Sequence, residues 1–530
     1  MTTSDTKLVL PTRIDDVHVQ NFINGQWVPP STGAYLKNVS PLTGKDISPL
    51  PDSDSVDIDI AVSAAKDAFP KWSTTPADKR AAILLKISEL IKENIPLLSE
   101  FESLDQGKPL RLAMMHEMPP CVYLFAQFAD IITKGIAETS QTTPFIHTPA
   151  SIMDPKPCKI EFTTQHVPAG VAAIITPWNV PLEMICIKLA PCLAAGNTCV
   201  IKPTELTSIN AYMLTHILKA AGVPDGVVNV VFGTGPRAGE PLVKHKDVRL
   251  VSFTGGTKTG FRIGGLAGGM GKRVALELGG KNPNLVFDDC DIDHAVATGI
   301  RSAFHNQGEI CLCASRHYVQ QGIYAKYVEM FREMAQTQLK VGDPKAPDTY
   351  FSAVVSQNHM DKITRYIRLA QEEGATVEFL VKRDDPKIKH ISSDGRLTIE
   401  GFEGGFFVAP TLITNISQKS RVMQEEIFGP VVCVLPFEDE DEGVALANDT
   451  EYGLGASVWS LDKEKLDRVM GRINAGTVWG NAWFALSFSM PFGGMKNSGN
   501  MREFGTWGME FFTETKTLSK HVYAEKPVSS

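Results

Sequence analysis

A regular alternation of strand-like and helix-like segments between residues 171 and 266 constrains this chain more than any other feature. Residues 171–175 form a short apolar run typical of a buried strand, and the apolar residues of 182–193 recur at three-and-four spacing. The same order then repeats, with predicted strands at residues 198–201, 227–231 and 248–253 and predicted helices at 208–221 and 257–266. Because strands that alternate with helices form parallel sheets, the segment predicts a doubly wound α/β domain.

Length and composition place this domain within a larger globular protein. The chain has 530 residues, of which 43% are hydrophobic, and this is too long for a single core. We therefore expect two or three domains. The formal net charge of −8 and the absence of a basic run argue against a nucleic-acid partner.

The N-terminal residues and the cysteines indicate in which cellular compartment we expect the protein. Residues 1–16 lack the apolar core of a secretory signal and the arginine-rich pattern of a transit peptide. No segment has about 18 consecutive apolar residues, so we expect no membrane span. Nine cysteines, an odd number without disulfide-scaffold spacing, fit the reducing cytoplasm.

One cysteine and one glutamate suggest a covalent reaction. Cys311 follows a polar, glycine-containing segment, and Glu277 precedes Leu-Gly-Gly-Lys upstream. A thiolate can add to a carbonyl, and a carboxylate can later take a proton from water. Isolated cysteines are more often buried apolar residues, and Glu277 could also end a strand and face water. Cys311 and Cys313 have no second pair of ligands at the right spacing, so we expect no metal site.

Two glycine-rich segments could approach a phosphate. Gly233, Gly235 and Gly239 do not have the spacing of a dinucleotide fingerprint and could equally form a plain turn. Residues 253–257 are better placed, because they join a predicted strand to a predicted helix whose first amides can face a pyrophosphate. This order is Rossmann-like.

The motifs together resemble the aldehyde dehydrogenase superfamily. The resemblance covers residues 22–516 and rests on six separated segments and on the order in which they occur. These are Thr-Pro-Trp-Asn at 176–179, Lys-Pro-Thr-Glu at 202–205, the Glu277 and Cys311 motifs, Glu-Glu-Ile-Phe-Gly-Pro-Val at 425–431 and Pro-Phe-Gly-Gly at 491–494.

The resemblance implies a three-part architecture. We expect an α/β fold with a Rossmann-like NAD-binding domain at residues 1–142 and 168–280 and an α/β catalytic domain at 281–492. A β-ribbon at 143–167 and 504–523 would mediate assembly into a homodimer or homotetramer. Independently of the family, the polar residues 382–403 predict a surface loop.

The resemblance also implies roles for individual residues. Cys311 would attack an aldehyde, Asn179 and the Cys311 amide would hold the oxyanion, and Glu277 would activate water against the thioester. Members that transfer the acyl group to coenzyme A generally lack this base, so a free carboxylic acid is the expected product.

NAD is the cofactor that the resemblance implies. Lys202 and Glu205 would hold the adenine ribose, and a 2′-phosphate close to Glu205 would cost on the order of 1–4 kcal/mol, which disfavours NADP. Without the family, Thr204 or Thr207 could instead cap a helix there. The other residues implied in cofactor binding are Trp178, Gly255, Gly256, Thr257, Glu426 and Phe428; the family usually has Ser at position 256.

The substrate is less constrained than the reaction. Glu309 stands where most members have Gln, which resembles the 2-aminomuconate and 2-hydroxymuconate semialdehyde dehydrogenase subfamily. That subfamily has an arginine where this chain has Pro120, and the family normally has Gly at position 501, here Met501. A less acidic aliphatic or aromatic aldehyde, a weakly active binding or structural homologue, and a thiol esterase therefore remain alternatives.

Overall fold

A computed structural model describes residues 8–135, 140–144, 159–382 and 384–522. The helices are α1 Ser55–Ser73, α2 Ala77–Glu93, α3 Ile95–Gln106, α4 Leu110–Leu112, α5 Met118–Lys134, α6 Pro181–Ala194, α7 Ile209–Ala220, α8 Glu240–Lys244, α9 Thr257–Gly268, α10 Ile292–Phe304, α11 Gln321–Gln338, α12 Gln357–Glu372, α13 Arg421–Gln424, α14 Glu440–Asn448, α15 Lys463–Met470 and α16 Gly505–Phe512. Short 3₁₀ or π-helical turns lie at Ile14–Asp16, Ala113–Glu117, Gly235–Gly239 and His305–Gly308.

The strands are β1 Asn21–Ile23, β2 Gln26–Val28, β3 Tyr35–Val39, β4 Asp46–Pro51, β5 Ser140–Pro144, β6 Lys159–Pro168, β7 Val171–Ile175, β8 Thr198–Lys202, β9 Val228–Val230, β10 Val248–Thr254, β11 Arg273–Glu277, β12 Pro283–Val286, β13 Arg316–Gln320, β14 Thr376–Phe379, β15 Ile388–Ile391, β16 Arg396–Ile399, β17 Phe407–Val408, β18 Thr411–Thr414, β19 Val431–Phe437, β20 Tyr452–Gly453, β21 Gly455–Trp459, β22 Thr477–Gly480, β23 Met495–Lys496 and β24 Thr513–Val522.

The predicted doubly wound sheet is present. Its strand order is β11-β10-β7-β8-β9-β1-β2, with β11 to β9 parallel and β1 and β2 antiparallel. Ala172 and Ile174 of β7 pack into the core beside α2, α5 and α6, whereas Val171, Ala173 and Ile175 pack on the other face with α1 and α9. A strand covered on both faces requires apolar residues at every position, which explains the unbroken run.

A second seven-stranded sheet follows in the chain. Its order is β14-β18-β19-β13-β12-β21-β22, and only the edge strand β14 runs antiparallel to its neighbour. Helices α11 and α12 contribute Phe331, Ile363 and Ile367 to its cores. The two parallel sheets confirm the expected α/β fold class.

The third expected part is a separate antiparallel sheet. Strand β24 pairs with β6 from Thr513 opposite Pro168 to Val522 opposite Lys159, and β5 pairs with the other edge of β6. Helix α16 occupies most of the stretch before β24 that was included in the predicted ribbon. Residues 145–158 of the predicted ribbon lie outside the described residues.

The prediction of a plain loop at residues 382–403 is wrong. Strands β15 and β16 form a hairpin there, and β16 also pairs with β17. The reason is the alternation in β16, where Leu397 and Ile399 are buried while their neighbours are more exposed. This period of two was masked by the surrounding Asp, Lys and Gly residues.

The first sheet positions the functional motifs at one edge. The segments that leave the carboxyl ends of β7, β8, β10 and β11 begin at Thr176, Pro203, Gly255 and Leu278. Ligands of open α/β sheets bind at this edge of the sheet. Within the described ranges, no helix combines the length and apolar character that a membrane crossing requires.

Candidate active site

A cavity of about 700 Å³ lies at this carboxyl edge and gathers most of the predicted site residues. Its volume is typical of a small-molecule site. Cys311 and Asn179 line it, and so do seven of the predicted cofactor residues: Trp178, Lys202, Glu205, Gly255, Gly256, Glu426 and Phe428. Of the predicted residues, Glu277 and Thr257 do not line this cavity.

The segment before Cys311 has an unusual backbone that delivers the thiol to the cavity. Asn306, Gln307 and Gly308 follow one another with φ of 48°, 56° and 73°. A Cβ at Gly308 would overlap the carbonyl of Gly429, so no larger residue fits there. The turn therefore brings the nucleophile's segment directly against the segment that carries Glu426 and Phe428.

Asn179 is held from two sides. Its side-chain Nδ2 donates to the Glu309 carbonyl at 3.0 Å, and its own carbonyl accepts from Lys108 Nζ at 2.7 Å and from Asn306 Nδ2 at 2.9 Å. A side-chain amide has two donor hydrogens. One therefore fixes Asn179 to the Cys311 segment, and the other remains for an oxyanion in the cavity.

Glu277 lies at the end of β11 but faces a different, smaller cavity, which Met501, Arg502 and Glu503 also line. Burial, and then the neighbouring Glu503 carboxylate, raise the pKa of Glu277 well above its usual range, although Lys188 and Arg502 oppose the shift. Lys188 and Glu503 form an ion pair of 2.5 Å beside it. The raised pKa favours the protonated form of Glu277 in this arrangement.

The thiol of Cys311 is also in its neutral form. Burial raises the pKa of Cys311 above its usual range, and the carboxylates of Glu426 and Glu277 raise it further. Glu277 is thus close enough to act electrostatically on the sulfur although it does not line the same cavity. The sequence analysis paired the two residues in one reaction, but it did not reveal that the Glu277 side chain lines the smaller cavity.

At the other end of the cavity Lys202 and Glu205 form an ion pair of 3.2 Å. Lys202 is buried, whereas the Glu205 side chain is 38% exposed and can accept hydrogen bonds from a ligand. The alternative of a helix cap fails, because α7 begins at Ile209 and no side chain caps it. Thr204 and Thr207 lie before that start and make other contacts.

The turn between β10 and α9 borders the middle of the cavity. Gly256 is the last residue before α9, and a Cβ placed on it would meet nothing within 4 Å. Thr257 begins the helix but does not line the cavity; Thr259, two residues further on, lines it instead. Gly235 and Gly239 also line it, so the glycine-rich turn left open by the sequence borders the same space.

Glu426 and Phe428 complete the wall nearest Cys311. Glu426 Oε1 accepts from the Gly280 amide at 3.0 Å. The Phe428 ring lies edge-on to Trp178 at 5.2 Å, and its backbone is left-handed with φ of 60°. The Phe428 carbonyl contacts His359 Nε2 at 2.7 Å.

Sequence reasoning missed several residues of this site. Lys108 contacts Asn179, and His359 contacts Phe428, as described above. Lys362 lines the cavity close to Glu426. Burial raises the pKa of the Glu426 carboxyl, and the charge of Lys362 opposes this rise without cancelling it. Glu309 accepts from Gln106 Nε2 at 2.7 Å and from the Val355 amide at 3.1 Å. Lys108, His359 and Lys362 belong to no local motif. Glu309 was singled out by the sequence, but its partners Gln106 and Val355 lie far away in the chain.

Other chemistries find little support in the described part of the chain. The eight cysteines placed there are free thiols, and no group of three or more His, Cys, Asp or Glu residues could hold a metal ion. The cavity residues do fit a dinucleotide. A carboxylate for ribose hydroxyls, helix-start amides for phosphates and an aromatic wall all border one space together with Cys311.

The fold and the cavity define a class of enzyme that combines a dinucleotide site with a cysteine nucleophile. The model of the aldehyde dehydrogenase family matches residues 27–518. The chain belongs to this family.

Its relatives cover nearly its whole length. The chain is 41% identical to the 2-aminomuconic semialdehyde dehydrogenase of Homo sapiens, over 95% of this chain and 98% of the relative. It is 38% identical to the 5-carboxymethyl-2-hydroxymuconate semialdehyde dehydrogenase of Escherichia coli, over 90% and 96%. The betaine aldehyde dehydrogenase of Staphylococcus aureus, solved with NAD⁺, superposes with a TM-score of 0.88 at 32% identity and 97% coverage of both chains.

Proposed function

We propose that this protein oxidises an aldehyde to the carboxylic acid with NAD, through a thiohemiacetal and a thioester on Cys311. The observation that carries the proposal is the single cavity that joins Cys311 and Asn179 to the Lys202–Glu205 pair. Bound NAD would supply the hydride acceptor. Glu205 favours NAD over NADP, because it would repel a 2′-phosphate.

The chain's own residues divide the work. The Cys311 thiol first loses its proton to water, and its sulfur then adds to the carbonyl carbon. The free hydrogen of the Asn179 amide and the Cys311 main-chain amide stabilise the resulting oxyanion. Trp178 and Phe428 form an apolar wall beside the sulfur that excludes water. After oxidation, Glu277 must lose its proton and turn toward the thioester, where it takes a proton from the attacking water.

For the substrate we propose a semialdehyde of the muconic type. The support is the relatives whose names carry this activity and the Glu309 variant beside the nucleophile. A less acidic aldehyde is the second candidate, because Pro120 replaces the arginine of that subfamily.

The assembly and domain division are also proposals. We infer that the β5, β6 and β24 sheet, around residues 143–167 and 504–523, joins subunits into a homodimer or homotetramer, because its long antiparallel strands form a unit apart from both parallel sheets. The NAD-binding part would comprise residues 1–142 and 168–280 and the catalytic part residues 281–492. A reducing cytoplasm suits the free Cys311 thiol.

An aldehyde panel tests the function. Purified protein with NAD is given muconic-type, aliphatic and aromatic aldehydes, and NADH is followed by absorbance, with Cys311→Ala as the control. Turnover that depends on both NAD and Cys311 supports the proposal. Cleavage of an activated ester alone, without NAD-dependent turnover, would instead favour a thiol esterase, and no turnover above the control would favour a binding homologue.

A further inference from the structure

We propose that Arg111, His116, Arg301 and His305 form an anion subsite at the substrate side of Cys311, which binds the remote carboxylate of an acidic aldehyde. We call these four residues the arginine–histidine cluster. The proposal rests on the proposed aldehyde oxidation and deepens it, because it names the substrate class as an oxo acid.

The cluster is attached to the nucleophile's own segment. His305 follows α10, and its carbonyl contacts Cys313 Sγ at 3.7 Å. Its ring centroid lies 5.7 Å from that of Trp483 and 5.8 Å from that of Phe484. Trp483 Nε1 donates to the carbonyl of Leu312, the residue after Cys311, at 3.0 Å.

An apolar wall connects the cluster with the sulfur. Cys311, Phe484 and Phe492 pack against one cluster of buried residues, which Val180, Ile310 and Trp483 belong to. The side chains that pack between the sulfur and His305 are therefore aromatic and aliphatic, as the carbon chain of an aldehyde requires. None of the four cluster residues lines the cavity that holds the predicted cofactor residues, so the cluster is separate from that cavity.

The remaining members bring positive charge to this wall. The Arg301 guanidinium lies 5.9 Å from the Trp483 ring centroid, and the His116 ring lies edge-on to His305 at 5.5 Å. Arg111 and Arg301 are both close enough to His116 to act on it electrostatically. Arg111, His116 and Arg301 are exposed, so a ligand can reach them.

The two arginines of the cluster have no counter-ion among the described residues. No carboxylate there forms an ion pair with any of the four side chains, although ten other arginines, such as Arg237, Arg332 and Arg396, do form one. Burial, and then the neighbouring His116, Lys108 and Arg301, lower the pKa of His305 to about 3, so its ring is neutral and can donate or accept a hydrogen bond. A bound anion would supply the missing counter-charge to Arg111 and Arg301.

The chemistry of the members selects a carboxylate. A guanidinium offers two parallel donors that match the two oxygens of a carboxylate, and His116 adds a ring N–H. Pro120 leaves the start of α5 without the arginine of the semialdehyde subfamily, and His116 precedes the same helix by two residues. Arg111 of α4 and His116 of the turn that follows thus place a guanidinium and a ring N–H before α5, where position 120 has neither.

Matched aldehydes test the subsite. Saturated ω-oxo acids of four to eight carbons are compared with their methyl esters, which have the same reach but no charge, and kcat/KM is measured for each pair. We expect the wild type to prefer the acid at one chain length. Arg301→Gln should lower kcat/KM for that acid roughly ten- to a hundredfold and leave the ester within about twofold.

Three variants control the result. Arg301→Lys keeps the charge and should retain part of the preference, and Arg111→Gln should reduce it independently. Arg249→Gln removes a charge from an exposed arginine that forms no ion pair among the described residues and lies at the opposite end of β10 from the cavity, so it should leave the acid-to-ester ratio unchanged. The subsite is overturned if the ratio of kcat/KM for the acid to kcat/KM for the ester is the same in the wild type, Arg301→Gln and Arg111→Gln. Ester turnover that stays unchanged in these variants would still support the proposed aldehyde oxidation.

A binding measurement separates the subsite from catalysis. The dicarboxylate that corresponds to the preferred oxo acid, or hexanedioate if no aldehyde is oxidised, is titrated into Cys311→Ala protein in a calorimeter. The subsite is supported if the dicarboxylate binds to Cys311→Ala protein but not to the double variant that also carries Arg301→Gln, even if no aldehyde is oxidised. Absent binding, or equal binding with and without Arg301, overturns it.

Discussion

The Glu426 carboxylate rests on the main chain of Gly280, with Oε1 3.0 Å from the Gly280 nitrogen. The neighbouring Gly279 has no side chain, and a Cβ there would overlap the Glu426 carboxylate. The two glycines that follow Glu277 in the sequence therefore leave the room that the Glu426 carboxylate occupies. They let a residue from a motif nearly 150 positions later approach the same wall of the cavity.

A methyl group at Gly279 should disturb this contact. We expect Gly279→Ala to displace Glu426 and lower kcat/KM for NAD roughly 10²-fold, because a misplacement of about 1 Å has this effect. Steady-state kinetics with varied NAD measure it. The control is Gly265→Ala in α9, because a Cβ at position 265 would meet nothing within 4 Å. We expect this substitution to leave the kinetics unchanged and to stabilise the helix by roughly 0.5–1 kcal/mol. Wild-type kinetics in Gly279→Ala would show that Glu426 has no positioning role.

A hydroxyl at Gly256 should improve cofactor binding. Its φ is −65° and the space around it is open, so Ser fits without strain. We expect Gly256→Ser to lower the dissociation constant for NAD severalfold through one added hydrogen bond to phosphate, and Gly256→Ala to leave it unchanged. Fluorescence titration with NAD distinguishes the two variants, and equal constants would refute a phosphate contact at this position.

Removal of a neighbouring carboxylate should activate the sulfur. Because Glu426 raises the pKa of Cys311, Glu426→Gln should lower that pKa and increase the rate of alkylation by iodoacetamide at a fixed alkaline pH. The rate is followed by intact-protein mass spectrometry between pH 7 and 10 in the absence of NAD. Cys433→Ala, which removes a buried thiol elsewhere, should leave the profile unchanged. A slower reaction in Glu426→Gln would contradict the assigned sign.

The pH dependence of turnover should report Glu277. Its raised pKa means that the ionised base is lost as pH falls through that value, so hydrolysis of the thioester should slow on the acid side. Glu503→Gln removes a like charge and should shift the acid limb of kcat to lower pH. Glu277→Gln should accumulate acyl-enzyme, visible as a burst of NADH without continued turnover. If the acid limb of the pH profile of kcat does not shift in Glu503→Gln, the carboxyl groups of Glu277 and Glu503 do not influence each other.

The buried ion pair behind Asn179 should matter for stability. Lys108 Nζ lies 2.6 Å from Glu117, and both side chains are almost completely buried. Lys108→Met leaves a buried carboxyl group unpaired and should reduce the free energy of unfolding by about 3–5 kcal/mol. The exposed pair Lys134–Asp130 provides the control, and Lys134→Met should leave the denaturation midpoint unchanged. Equal midpoints for the two variants would exclude a structural role for Lys108.

The sequence predicted those parts of the fold and site that depend on local patterns. The unbroken apolar run of β7 and the glycine turn before α9 both follow from neighbouring residues, so their elements were predicted to within a few residues. Cys311, Asn179 and Glu426 were found because each lies in a short motif at the end of an element. Asn179 reaches the cavity from the carboxyl end of β7, whereas Cys311 and Glu426 approach it from segments that precede β13 and β19.

Features that depend on distant partners could not be predicted. Lys108 reaches Asn179 across 71 positions, and Glu309 meets Val355 across 46. The β15–β16 hairpin was missed because its alternation is short and lies within a polar stretch. The direction of Glu277 depends on Lys188 and Glu503, which no local pattern connects to β11.

The separate cavity that receives Glu277 has a consequence for inhibitor design. A covalent ligand shaped to the space around Cys311 would form its bond to sulfur without contacting Glu277. The space beside Met501 and Arg502 has a volume of only about 10 Å³, which is room for about one water molecule, so a ligand of useful size does not enter it. Inhibitor design for this protein would therefore use the larger cavity alone.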